Sequence, residues 1–156
     1  MNFKKFNTYD EQEIKIAIKV IKSGKLSGFI GEWQEEFYGG KYVNLMEKKY
    51  AEFFKVKYAI SVNSWSTGLV CALGALDLNP GDEVILPTFT MSACASAILH
   101  WNCIPIFADI DEKNLCIDIN SIKKNISTKT RAIMAVDICG VSSNINEIKK
   151  LIKNKN

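Results

Sequence analysis

The chain has 156 residues, 47% apolar and 24% charged, the balance of an ordinary globular protein. Twenty basic residues against seventeen acidic leave a net charge of +3, which excludes a strongly basic nucleic-acid module and an acidic disordered tail. No run approaches the ~18 apolar residues of a membrane span. Met1 to Phe6 contains no apolar stretch of a secretory signal, so the expected compartment is the cytoplasm, with no membrane partner.

In chain order, Tyr9-Asp10-Glu11-Gln12-Glu13 signals a helix start, and Ile14, Ile18 and Ile21 follow at helical spacing. Ser23-Gly24 should end that helix, and Gly24 to Gly31 should be loop. A second amphipathic helix is expected from about Lys41 to Phe54, with Val43, Met46, Tyr50, Phe53 and Phe54 on one face. Residues 1–57 thus read as a helical segment and loop. From residue 58 the pattern changes to strand-then-helix units. Tyr58–Val62, Glu83–Pro87, Ile104–Asp109 and Arg131–Val136 read as strands. Helices are expected from Asn63-Ser64 to Leu76, Thr90 to His100, around Ser121–Asn125, and after Asn144 with Ile145, Ile148, Leu151 and Ile152. Continuous apolar strands alternating with helices imply a parallel sheet covered on both faces, so residues 58–156 form a three-layer α/β/α unit.

Five cysteines form no C-x-x-C pair and read as reduced, buried thiols. His100 is the only histidine, so no zinc cluster is available, and it falls at a helix end. Trp33, Trp65 and Trp101 form no basic-aromatic stripe, so no nucleic-acid partner is expected.

Ligands of open parallel sheets bind at strand carboxyl ends, near helix starts. The first such junction is Val62-Asn63-Ser64-Trp65-Ser66-Thr67-Gly68, whose hydroxyls and free helix N–H groups suit a phosphate. Asn63 or Ser64 can equally serve as a plain helix cap. The second is Pro87-Thr88-Phe89-Thr90-Met91-Ser92, where Phe89 or Met91 could lie on a flat ring, or fill core while Thr88 or Thr90 caps the helix. The third and fourth are Asp109-Ile110-Asp111 and Val136-Asp137, whose carboxylates could meet ligand or cap turns. Without a further ligand cluster, Asp109 and Asp111 do not make a metal site.

Together these segments resemble the DegT/StrS family of vitamin B6-dependent sugar aminotransferases. Asn63-Ser64-Trp65-Ser66-Thr67-Gly68-Leu69 is similar to N-S-G-T-A-A-L, and Gly81 to Thr90 to G-D-E-V-I-V-P-S-F-T. Pro105 to Ile110 is similar to P-V-F-V-D-V, and Ser127 to Ile133 to I-T-P-R-T-K-A-I. The order and gaps agree over roughly residues 22–152. The resemblance implies the N-terminal part of the fold-type I aminotransferase large domain, the cofactor pyridoxal 5′-phosphate (PLP), glutamate as the usual amino donor, a nucleotide-linked keto-sugar as acceptor, and a homodimer. It assigns cofactor binding to Ser64, Trp65, Ser66, Phe89, Met91 and Asp137. Met91 falls at the ring-stacking position, and Asp137 stands where many members have histidine. Trp65 replaces a small residue and is expected to point away from the phosphate. The resemblance places the Schiff-base lysine and the aspartate paired with the pyridinium nitrogen beyond residue 156. No catalytic residue is therefore assigned, and the 156 residues alone are expected to be a truncated, inactive portion. The alternative is a noncatalytic α/β remnant or interaction module that keeps an anion site.

Overall fold

The structure is a computed structural model describing residues 8–25 and 28–153. The chain divides into two compact units, one up to Ser61 and one from Val62 onward.

The first unit holds α1 (Glu11–Lys22), a short 3-10 helix (Glu35–Tyr38) and α2 (Gly40–Phe54). Asp10 starts α1 with a capping box: its carboxylate accepts the Gln12 N–H at 2.7 Å, while Glu13 accepts the Asp10 N–H at 2.7 Å. Gly28 and Gly39 pair as a single antiparallel bridge. A side chain on Gly28 would sit 2.8 Å from the Gly39 backbone, so only glycine allows that approach. The expected loop at 24–31 follows α1, with residues 26 and 27 outside the described residues.

The second unit holds α3 (Trp65–Gly74), β1 (Glu83–Pro87), α4 (Ser92–His100), β2 (Ile104–Ala108), α5 (Ile119–Asn125), β3 (Thr130–Ile133) and α6 (Ile145–Lys153). The sheet is parallel in the order β2-β1-β3, with Glu83 opposite Ile104 and Thr130. Strand alternation sorts the core onto two faces. Val84 and Leu86 pack with Leu69, Leu73, Cys94, Ala97 and Ile98 from α3 and α4. Ile85 packs on the other face with Ile122 of α5 and Ile148 of α6. The three expected layers follow directly.

Three sequence expectations are corrected. Tyr58–Val62 forms no strand: Tyr58 and Ile60 are largely exposed, and the Ser61 N–H and hydroxyl both donate to the Glu47 carboxylate rather than to a ladder. The last strand is Thr130–Ile133 rather than 131–136: a register shift between Glu83 and Val84 marks its start, and beyond Ile133 only the Met134 N–H still donates to β1, to the Ile85 carbonyl at 2.7 Å. Cys94, Cys103 and Cys116 are buried, but Cys71 and Cys139 are exposed. Cys71 lies on the outer face of α3, and Cys139 sits in a tight turn at φ +50°. Among the described residues, no helix is long and apolar enough to cross a membrane.

Candidate functional site at the carboxyl edge of the sheet

Helix direction places the candidate residues. Trp101, which caps the C-terminus of α4, covers Gly74 at the C-terminus of α3 so closely that a β-carbon on Gly74 would lie 2.4 Å from the indole. Its Nε1–H donates to the Val70 carbonyl at 2.9 Å. The two helices therefore run side by side in the same direction. α4 leaves the carboxyl end of β1, so both helix starts lie at that edge. The loop after β1 turns to the α3–α4 face, and the loops after β2 and β3 turn to the α5–α6 face. The sheet edge opens beside β1, the position at which α/β sheets take ligands.

At the start of α3 the hydroxyls divide their work. Ser64 is the N-cap: its oxygen accepts the Thr67 N–H at 3.1 Å and lies 3.0 Å from the Thr67 hydroxyl. The capping interpretation is correct for Ser64. The N–H groups of Trp65 and Ser66 are left without an intrahelical acceptor, as the first turn of a helix requires. Ser66 is exposed, and its hydroxyl has no partner among the described residues. Two N–H donors, a hydroxyl and the positive end of the helix dipole thus face outward together, an arrangement that suits a phosphate.

At the start of α4 the capping interpretation does not hold. Its N-cap is Met91, with no side-chain cap, and the Thr90 hydroxyl lies 3.1 Å from the Cys94 sulfur instead. Phe89 and Met91 do not fill core: 47% and 71% of their surfaces are exposed. Both stand free at the ligand edge, beside donors that no side chain occupies.

Asp109 and Asp111 serve turns, accepting the Ile110 N–H at 2.9 Å and the Lys113 N–H at 2.8 Å. Among the described residues no cluster of His, Cys, Asp or Glu could hold a metal. Asp137 follows β3 at the same edge. One carboxylate oxygen accepts the Ser143 N–H at 2.8 Å, and the Ser143 hydroxyl donates to the Val136 carbonyl at 2.9 Å. Ser143 is buried and fixes this carboxylate. Sequence reasoning missed it; the only signal is the run Ser142-Ser143-Asn144 ahead of α6. Thr67, one of the hydroxyls of that first junction, is tied to Ser64 instead of standing free.

A cleft of about 830 Å³ lies within the first unit, lined by Lys19, Lys25, Glu36, Lys41 and Asn44 among others. Lys25 is already paired with Glu36 there at 3.5 Å. That cleft gathers no strand ends and no hydroxyl-bearing helix start, so the sheet edge is the better candidate.

A three-layer α/β unit with helix starts gathered at one carboxyl edge is the architecture of proteins that take small molecules at that edge. The chain belongs to the DegT/DnrJ/EryC1/StrS aminotransferase family, whose model matches residues 13–156. Its fold is that of the N-terminal part of the fold-type I aminotransferases. It is 39% identical over 112 residues to GDP-perosamine synthase of Vibrio cholerae, covering 72% of this chain and 30% of that protein. It is 34% identical over 144 residues to the spore coat polysaccharide biosynthesis protein SpsC of Bacillus subtilis, covering 92% and 34%. A solved structure of the E. coli GDP-4-keto-6-deoxy-D-mannose-3-dehydratase with bound hydrated PLP superposes with a TM-score of 0.83 at 31% identity, covering 96% and 37%. The chain spans about a third of the length of these relatives.

Proposed function

We propose that these residues are the N-terminal part of a PLP-dependent aminotransferase that moves an amino group from glutamate to a nucleotide-linked keto-sugar in polysaccharide or amino-sugar biosynthesis. The observation that carries the reading is the start of α3, where Ser64 is consumed as a cap while Ser66 and two N–H groups stay free. In this reading the Trp65 and Ser66 N–H groups and the Ser66 hydroxyl hold the phosphate of PLP. Phe89 and Met91 lie against its ring, and Asp137, held by Ser143, offers a carboxylate at the same edge. When bound, PLP supplies the electron sink for amino transfer. Residues 58–156 are the cofactor-binding part, and residues 1–57 are an N-terminal helical segment and loop. The whole protein is a cytoplasmic homodimer. Similarity to the E. coli dehydratase favours a second reading, dehydration of the same class of keto-sugar, which analysis of the product distinguishes.

The test is PLP affinity by absorbance titration beside a thermal melt. Ser66→Ala is expected to lose on the order of 1.5–3 kcal/mol of binding, the range for a hydrogen bond to a charged group, with the melt unchanged. Unchanged affinity would return Ser66 to an ordinary first-turn residue. None of the lysines of residues 1–156 stands in the context of the family's Schiff-base lysine. These residues by themselves are expected to give no turnover with glutamate and a nucleotide-linked keto-sugar. Turnover, or a borohydride-trapped adduct at one lysine, would overturn that expectation.

A further inference from the structure

Two of the five cysteines converge on one loop. After β3 the chain reverses tightly, with Ile138 opposite Val141 and the Val141 N–H donating to the Ile138 carbonyl at 2.9 Å. Cys139 and Gly140 form the tip, both at positive φ, and Cys139 is exposed. The Val141 carbonyl takes its donor from outside the loop. It accepts the thiol of Cys116 at 3.5 Å, and Cys116 is only 2% exposed. A buried sulfur and an exposed one thus serve the same turn. Cys116 rests on Val141, and Cys139 stands two Cα–Cα steps before it, at most about 7.6 Å away. The other thiols are placed differently: Cys94 lies 3.1 Å from the Thr90 hydroxyl, Cys103 3.6 Å from the Asn79 and Trp101 carbonyls, and Cys71 on the surface of α3.

The loop carries more than a thiol. Asp137 precedes it and Ser143 follows it, and the Ser143 N–H closes the two ends on each other by its bond to the Asp137 carboxylate at 2.8 Å. The Cys116 contact ties that closed loop to the segment before α5, where Ile110 and Ile117 pair. A thiol donates only while it keeps its hydrogen. Chemistry that removes this hydrogen frees the Val141 carbonyl and cuts the tie.

We propose that Cys139 and Cys116 are an oxidation-sensitive pair that holds this loop when reduced and releases it when oxidised. The oxidant is a hydroperoxide. The exposed Cys139 sulfur attacks one peroxide oxygen, the O–O bond breaks, and water or an alcohol leaves as Cys139 becomes a sulfenic acid. The Cys116 sulfur then leaves the Val141 carbonyl and displaces the hydroxyl as water, forming the disulfide. Two electrons pass from the thiols to the peroxide, and both thiol hydrogens end in water or alcohol. A dithiol reductant restores the pair, so the bond is of the transient kind that reducing compartments allow.

The experiment treats the intact 156-residue chain with hydrogen peroxide under native conditions, blocks the remaining thiols with iodoacetamide and maps the peptides by mass spectrometry. The expected product is a Cys116–Cys139 cross-link that dithiothreitol reverses, with the similarly buried Cys94 and Cys103 still reduced. Amide exchange at Ser143 should be faster in the oxidised chain than in the reduced one. Cys139→Ser should abolish the link and leave Cys116 reduced, whereas Cys71→Ser should leave the link intact. A chain that does not react, or one in which Cys139 is oxidised while Cys116 stays reduced, overturns the pair. Equal oxidation of Cys94, Cys103 and Cys116 overturns it as well, because unfolding then explains the reaction. A cross-link with no change at Ser143 overturns the release of the loop. Circular dichroism checks the fold of each variant, and if Cys139→Ser fails to fold, the peptide map of the wild-type chain decides alone.

Discussion

Ser64 and Ser66 are two residues apart on one helix start, yet only Ser64 is bound into the fold. Ser64→Ala removes the acceptor for the Thr67 N–H and is expected to cost about 1 kcal/mol of stability, the usual loss for an N-cap. Ser66→Ala should cost almost nothing. Urea midpoints of the two variants check this, and equal losses would show that the hydroxyls do not divide as the structure has them. Cys103 carries a different prediction. Burial pushes its thiol above the ordinary 9.0, and the Asp82 carboxylate adds to the shift. Its sulfur lies 3.6 Å from the Asn79 and Trp101 carbonyls, where the neutral thiol can donate and a thiolate cannot. The folded pKa is therefore the higher one. The stabilisation is complete below the unfolded value and is lost as pH rises through the folded value. Stability should fall above about pH 9, and Cys103→Ala should flatten that part of the profile in urea titrations run from pH 7 to 10.5. A parallel decline in the variant would assign the loss to other groups.

At the scale of elements, the junction of α3 with α4 is the contact that turns both helix starts toward one edge. Gly74→Ala tests it, because two effects oppose each other there. Alanine gains roughly 0.5–1 kcal/mol over glycine in a helix, but its β-carbon would meet Trp101 at 2.4 Å. Overpacking of this kind costs about 1–3 kcal/mol, so destabilisation is expected, together with a shift in Trp101 emission as its bond to the Val70 carbonyl is lost. A more stable variant would mean that the indole yields easily. The same elements show what a sequence reveals. α1 was legible because its period and its Asp10 cap agree, α2 because of its period alone, and β1 because a short apolar run between turn residues has few other uses. Tyr58–Val62 had the same composition as a strand, but composition does not say whether a neighbour exists to pair with it. Thr90 looked like a cap, yet its hydroxyl found the Cys94 sulfur. The Asp137–Ser143 clamp spans six residues through a side chain and a backbone N–H, a link with no period to read. The positions of the candidate site residues followed from strand ends and motif resemblance, whereas the division of roles between Ser64 and Ser66 needed the geometry.

On the scale of the whole molecule, the apolar surface is unevenly disposed. Neither α1 nor α2 contains a buried residue. Ile14, Ile18 and Ile21 on α1, and Leu45, Met46, Tyr50, Phe53 and Phe54 on α2, are all exposed. Single exposed apolar residues are common, but rows of them along two amphipathic helices are the mark of a surface that associates. In the second unit, β2 and β3 are the outer strands of the sheet, and Ile104 and Phe107 of β2 are exposed as well. Outer strands present unpaired N–H and carbonyl groups that invite another strand. Both features act in one direction, and the net charge of +3 on 156 residues gives little repulsion against it. The 156-residue chain is therefore expected to self-associate, with its mass by light scattering rising with concentration. The helical faces and the sheet edges can be told apart as the cause. Ile18→Glu with Phe53→Glu places charge on each helical face at exposed positions, at the expense only of the Phe53–Phe54 edge contact, and should shift the population toward monomer while leaving the helical circular dichroism intact. If association persists unchanged in that variant, the sheet edges drive it, and Phe107→Lys on β2 becomes the substitution that should disperse it. A monodisperse monomer with a cooperative melt at high concentration would show that neither surface is sticky enough to matter.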